Sequence, residues 1–353
     1  MNTLEKDMTA KKFIMNVLNG IALGTVIALI SGALLGEIVK ALSDSAPWLA
    51  YLGTALSMSN SMIGLLSGIL IGQSFKFTPI QSMSIGLATL FGSGAVKMID
   101  GAIVLAGTGD IINMGVTASA GVLIVMLLGK SLKAYSIIVI PPVVLAVAGG
   151  IGYFTLPYIA KITEVIGIGI EQLLTLQPIV LAVLLGMIFS LLIVSPITSV
   201  GIAVAISLAG VGSGAANLGI TATGFGLAIM GWSVNDIGTN LAHFIGSPKI
   251  QMPNVVKKPL IMVPILASAA LTALLAVIFN IQGTPMSAGF GFSGLVGPIN
   301  HLNLTESGWT VTNILITILV FVVAPITFGF ISKYVFMKVW PIVSPEDYRL
   351  DIK

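Results

Sequence analysis

Cysteine is absent from the 353 residues. Disulfides, thiolate metal sites and a phosphocysteine relay within this chain are therefore excluded. Charge is scarce as well. Asp, Glu, Lys and Arg make up 8% of the chain, against about 25% in soluble domains. Between Glu171 and Asp236 lie 64 consecutive residues with no charge at all. A water-soluble domain needs charges spread over its surface. A chain in lipid excludes them, because Lys, Arg or Asp at the bilayer centre costs roughly 2.5–3.5 kcal/mol each. The two histidines, His243 and His301, are 58 positions apart and form no metal motif. No Gly-Lys-Ser/Thr follows the glycine-rich pieces, so there is no phosphate loop. No catalytic triad is visible, and no cofactor is expected. The net charge of +3 comes from lysines flanking apolar runs. It speaks of topology and gives no sign of nucleic-acid binding.

What is present is apolar. Hydrophobic residues are 56% of the chain, and there are 40 glycines, a residue commoner in membrane helices than in soluble ones. The apolar runs are continuous and do not alternate, which excludes a β-barrel. The reading is an all-α membrane protein of about ten transmembrane helices with re-entrant segments. Spans are expected near 13–36, 47–72, 77–96, 112–129, 134–157, 173–194, 196–213, 219–241, 259–281 and 309–332. The segment from Phe13 to Gly36 is too long for a signal-peptide core and reads as a retained first span. Ten spans put both termini on one side. Thirteen basic residues fall on that side, from Lys6, Lys11 and Lys12 through Lys249, Lys257 and Lys258 to Lys353; Lys40 and Lys161 fall opposite, and Lys97 is assigned to neither side. The positive-inside rule then makes the termini cytoplasmic. Residues 1–12 form an N-terminal segment, 13–338 a single polytopic membrane domain in lipid, and 339–353 a cytoplasmic tail.

A weak parallel repeat is visible. Thr78-Pro-Ile-Gln-Ser-Met-Ser-Ile-Gly is echoed by Ser195-Pro-Ile-Thr-Ser-Val-Gly-Ile-Ala, and each is followed by Gly-Ser-Gly-Ala, at Gly92–Ala95 and Gly212–Ala215. Asp110-Ile-Ile-Asn113 has an echo in Gly297-Pro-Ile-Asn300. The halves would be about 13–133 and 134–338. Internal duplication with substrate held between halves is a recurring transporter plan. Gly/Ser/Ala-rich helices also resemble one another by composition alone.

The polar residues inside the spans are few. Asn235, Asp236, Asn240 and His243 form the densest cluster, and on a helix Asp236, Asn240 and His243 share one face. Such a face suits ligand binding or a proton relay; it also suits an interhelical hydrogen-bond network. Asn300 and His301 lie in a Gly-rich stretch, Gly289 to Gly308. Non-helical backbone at membrane depth is tolerated only where it lines a cavity or is buried in protein, so this stretch is either a re-entrant element or an external loop. Asp110 and Asn113 mirror Asn300 across the repeat. Lys97 and Asp100, one helical turn apart, neutralise each other if that segment is helical. Asn60 sits mid-span among serines. Gly64, Gly68 and Gly72 make a small-residue stripe that reads as helix packing. The candidate site is thus Asn235, Asp236, Asn240, His243, Asn300, His301, Asp110, Asn113 and Asn60, around a polar cavity between the halves.

The Ser195-Pro-Ile-Thr-Ser-Val-Gly segment, Gly212-Ser-Gly-Ala215, and Asn235-Asp236 through His243-Phe-Ile-Gly-Ser-Pro248 resemble the membrane subunit IIC of bacterial sugar phosphotransferase systems. They are more similar to its stand-alone, perfringolysin-regulator-like branch. The resemblance covers nearly the whole chain. It implies a homodimeric permease of the bacterial cytoplasmic membrane that binds a sugar or related small polar solute. A separate IIB protein, itself fed by IIA, would phosphorylate the sugar, so this chain would need no phosphorylatable residue. The glucose-type Gly-Ile-Thr-Glu motif is missing; Gly219-Ile-Thr-Ala222 has Ala in the Glu position. Two other functions stay open on the residues: a ligand-sensing regulator without transport, and a proton- or ion-coupled carrier.

Overall fold

The computed structural model describes residues 8–43, 45–132 and 135–350. Among them helix dominates, as expected of a chain that must satisfy its backbone internally in lipid. Six helices are long and apolar enough to cross a membrane: Ala10–Gly32, Ile111–Leu128, Ser136–Thr175, Gly210–Gly231, Pro259–Ile278 and Val311–Val339. A seventh arises if Pro47–Ser61 and Ile63–Ser74, bent by 48°, count as one broken span, and Pro178–Val194 is a shorter apolar helix. Apolar run length marked ten segments; local backbone breaks several of them. Residues 196–213 are not one helix, because Ser207 (φ 50°) and Gly210 (φ 62°) turn the chain left-handed between Ala205 and the next helix.

The chain divides into two compact units, Met1–Leu29 with Thr54–Lys161, and Ile30–Gly53 with Ile162–Lys353. In order, the elements through the first unit are α1 (Ala10–Leu42, continuing in sequence into the second unit), α2 (Ala50–Ser61), α3 (Ile63–Ser74), α4 (Pro79–Gly92), β1 (Val96–Ile99), β2 (Ala102–Leu105), α5 (Ile111–Leu132), α6 (Ser136–Val143) and α7 (Gly149–Glu171). The small-residue stripe does pack helices. A methyl group on Gly68 would stand 2.7 Å from Gly86 Cα, and one on Gly72 would stand 2.7 Å from Ser82 Cα, so α3 and α4 touch backbone to backbone. Thr78 opens α4 with a capping box closed by Gln81. After α4 the chain forms an exposed antiparallel hairpin, β1–β2, turning through Asp100 (φ 50°) and Gly101 (φ 79°). Asp-Gly is the preferred pair for such a turn. Lys97 and Asp100 therefore do not share a helical face.

The second unit continues with α8 (Pro178–Val194), α9 (Ser199–Ala205), α10 (Gly210–Gly231), α11 (Ile237–Leu241), α12 (Met252–Lys257), α13 (Met262–Ile278), α14 (Val296–Leu304), α15 (Val311–Ile318) and α16 (Ala324–Tyr334). Its axis is α10, buried from Ser213 to Gly231 and packed on α8, α13 and α16. The repeated sequences take different local forms here. Thr78 caps a 14-residue helix, whereas Ser195 is extended and the cap shifts to Thr198, whose helix has seven residues. Gly92–Ala95 leads into the hairpin, whereas Gly212–Ala215 lies inside α10. The tail beyond α16 is folded back on this unit: Tyr348 is fully buried, and its hydroxyl donates to the Ile261 carbonyl at 2.8 Å.

Candidate functional site

A narrow cleft lies in the second unit, too tight in this structure to hold a water molecule. Thr221 and Gly224 of α10, His243 and Phe244, Pro248, and Phe290, Phe292 and Ser293 are among its walls. Three local features bring these residues together. After α11 the chain makes a π turn, Ala242–Gly246, a geometry frequent at functional sites. Gly224 lets that turn lie on α10, since a methyl group there would stand 2.9 Å from the His243 carbonyl. The stretch after α13 is a chain of short turns, pinned where Gly291 N–H donates to Asn217 Oδ1 at 3.0 Å and Ser199 Oγ donates to the Gly289 carbonyl at 3.0 Å. Gly291 (φ 62°) is left-handed. Ser293 Oγ then donates to the carbonyls of Ile245 and Gly246, closing the two segments on each other.

The cleft is mainly apolar with a few polar atoms. Phe225 and Phe244 stack at 4.4 Å with 16° between planes, and Phe292 meets Phe225 at 5.2 Å edge-on. His243 is fully buried, and its Nε2 has no protein partner. Its Nδ1 lies 3.3 Å from the Asn240 carbonyl. A carbonyl only accepts, so the proton of a neutral imidazole sits on Nδ1, and Nε2 is left as an acceptor.

The other expected site residues are dispersed. Asp236 is exposed and stands just outside α11. The helix beyond it has five residues and passes into the π turn, and along it Asp236 faces solvent whereas Asn240 and His243 are buried. Asn235 points its amide at the tail: Nδ2 donates to the Tyr348 carbonyl at 2.9 Å and Oδ1 accepts from Leu350 N–H at 2.8 Å. Asn240 is buried, and its Nδ2 donates to the carbonyls of Trp232 (3.3 Å) and Asn235 (3.1 Å). His301 is buried on α14, where Nδ1 accepts from Gln282 N–H at 3.1 Å. Asn300 is half-buried on the same helix. Neither lines the cleft.

Asp110 and Asn113 belong to the first unit and do a structural task there. Asp110 Oδ1 accepts from Asn113 N–H at 2.8 Å and so caps α5. Asn113 Nδ2 donates to the carbonyls of Gly92 and Gly152, at 2.5 and 2.8 Å, and its Oδ1 accepts from Thr155 Oγ1 at 2.7 Å. Both amide hydrogens are used, and the buried side chain ties α4 to α7. Asn60, near the end of α2, has a buried, unpartnered Oδ1. Among the described residues, no three His, Asp or Glu side chains are placed to hold a metal ion. Thr221 and Phe244 fell within segments that carry the family resemblance but were not named as site residues, and Phe290, Phe292 and Ser293 were not singled out. The one signal for Ser293 and its neighbours was the uncharged Gly-rich stretch, and the aromatic residues carry no spacing that distinguishes a wall from a core.

A family model for the phosphotransferase system EIIC component matches residues 15–350. The chain belongs to that family. No characterised relative and no solved structure matches it. As an EIIC protein it is membrane-embedded, and its function is of the phosphotransferase sugar-permease kind, working in general with IIA and IIB components.

Proposed function

We propose that the cleft around His243 is the ligand site of this EIIC protein, and that it takes one sugar or polyol ring. The observation that carries this reading is the buried Nε2 of His243, an acceptor without a partner in the wall of a cleft. An unmet polar atom in such surroundings costs about 1–3 kcal/mol, and a ligand hydroxyl would supply the missing donor. The faces of Phe244 and Phe292 suit the C–H side of a sugar ring, and Thr221 adds a hydroxyl. In this structure the walls lie too close to admit a water molecule, so in this reading a ring enters only as the π turn and the Phe290–Ser293 segment move apart. Ile220 and Thr221, within the Gly219-Ile-Thr-Ala222 segment, lie along the cleft.

In this reading the chain carries the solute across a bacterial cytoplasmic membrane as a homodimer. A separate IIB protein, docking on the face bearing Lys257 and Lys258, transfers the phosphoryl group directly to the bound sugar. The test is a thermal-shift screen of purified protein against hexoses, pentoses, hexitols and their phosphates, because a bound ligand raises apparent stability by mass action. A shift with one unphosphorylated class, lost in His243→Ala and kept in Asp236→Asn, supports the site. No shift with any class, or a shift unchanged in His243→Ala, rejects it. Ligand binding without uptake in liposomes or cells would reassign the protein to sensing.

A further inference from the structure

The tail and the cleft are joined by an unbroken set of polar contacts. The backbone of Tyr348 and Leu350 holds both ends of the Asn235 amide. The Asn235 carbonyl accepts from Asn240 Nδ2. The Asn240 carbonyl takes the Nδ1 proton of His243. The other ring nitrogen, Nε2, is the unpartnered acceptor.

The π turn bearing His243 is fastened to α10 and to Ser293, but the segment leading into it, residues 232–241, has few anchors outside itself. Trp232, Ser233, Asp236, Ile237 and Gly238 are exposed. Among the described residues, the long-range hydrogen bonds of residues 232–241 all go to the tail: Asn235 to Tyr348, Leu350 to Asn235, and Arg349 Nη1 to the Val234 carbonyl at 3.3 Å. The tail in turn is fastened elsewhere. Gln251 Nε2 donates to the Tyr348 carbonyl at 2.8 Å, Asn254 Nδ2 to the Arg349 carbonyl at 2.7 Å, and Lys258 pairs with Asp347 at 2.7 Å. Gly231 admits this arrangement, since a methyl group there would stand 2.6 Å from Asn235 Nδ2.

We propose that the docked C-terminal tail is part of the ligand site's positioning machinery, holding the His243 ring through Asn235 and Asn240 so that Nε2 is presented to the cleft as an acceptor. Asn235, Asn240 and Tyr348 are positioning residues; none needs to touch the sugar. A ring nitrogen whose partner bond fixes the tautomer is a recurring device for setting what the other nitrogen offers. The proposal rests on the reading of His243 as a ligand contact, but its first readout needs no ligand.

The experiment uses full-length protein in nanodiscs with isotope-labelled histidine. Only two imidazoles are present, and His301→Gln assigns them. In the wild type the His243 signals should report Nδ1 protonated and Nε2 bare. Asn235→Ala removes the link to the tail. Asp347→Asn, at a partly buried position in the tail, loosens the tail by weakening its pair with Lys258. Both should move the His243 signals toward a tautomer mixture and leave His301 unchanged. Binding of the hexose, pentose or hexitol selected by thermal shift should weaken by about tenfold in Asn235→Ala, the worth of one hydrogen bond. A lowered melting temperature with unchanged His243 signals in both variants overturns the proposal, because the tail would then serve stability alone. Shifted His243 signals with no sugar binding in any form, wild type included, would sustain the positioning role and reject the sugar reading.

Discussion

The ammonium of Lys249 is buried and donates to the carbonyl of Ser195, with the Ile197 carbonyl as a second acceptor at 3.2 Å. It is not the solvated loop charge that the positive-inside pattern supposed. Among the described residues it has no carboxylate partner. These carbonyls follow the last turn of α8, where a cation is favourable. Lys249→Met should therefore destabilise the protein by about 1–3 kcal/mol, since it strands two acceptors. A thermal melt in detergent or nanodiscs measures this. Burial pushes the Lys249 ammonium down to about 7, whereas it returns to about 10.4 on unfolding. Between those values the unfolded chain binds the extra proton, so stability rises with pH. The wild type should gain on Lys249→Met as pH climbs from 7 toward 10; a gap that narrows instead would contradict this.

The Asp347 latch has the opposite sign. Partial burial works against its ionisation, but the bonds from Lys258 and from the backbone and hydroxyl of Ser344 outweigh that and hold its carboxyl below the ordinary carboxylate range. Its contribution is present above about pH 4, the unfolded value, and is lost as pH falls through the lower folded value. Melting curves of wild type and Asp347→Asn should differ at pH 7 and converge under acid. The gap should also shrink in high salt, because the pair is near the surface.

Asn113→Leu separates scaffold from site. Removing an amide that bonds Gly92, Gly152 and Thr155 leaves buried groups unmet, so a stability loss of about 2 kcal/mol or more is expected. Sugar affinity, measured calorimetrically below the melting temperature, should stay within about twofold, since the residue lies in the first unit and is absent from the cleft. A selective loss of affinity would return Asn113 to the binding set.

Gly224→Ala tests the packing that forms the cleft. The added methyl meets the His243 carbonyl at 2.9 Å and Phe244 Cα at 3.0 Å, both backbone atoms that cannot swing aside. The cost should be about 1–3 kcal/mol of overpacking, with sugar binding weakened at least tenfold as the π turn shifts. The neighbouring Gly226→Ala meets only the flexible end of Ile265, at 3.0 Å. It serves as the mild control.

Lipid as the solvent, helix as the secondary structure and the EIIC resemblance were legible in the sequence, because the near-absence of charge over long runs has few physical explanations. The Gly64–Gly72 stripe was read correctly for the same reason: small residues at helical spacing permit close backbone approach whatever their neighbours. Asn235, Asp236, Asn240 and His243 looked like one cluster because spacing along an ideal helix was the only geometry available. The chain breaks that helix at Asp236 and again at the π turn, and it sends the four side chains to the tail, the solvent, the loop backbone and the cleft. Spacing cannot foresee this, because a residue's partner here lies more than a hundred positions away, as Tyr348 does from Asn235. The amino-acid sequence by itself decided where the chain can live. The tertiary structure alone decided which of its few polar atoms remain unpaired, since pairing depends on what the fold brings within 3 Å.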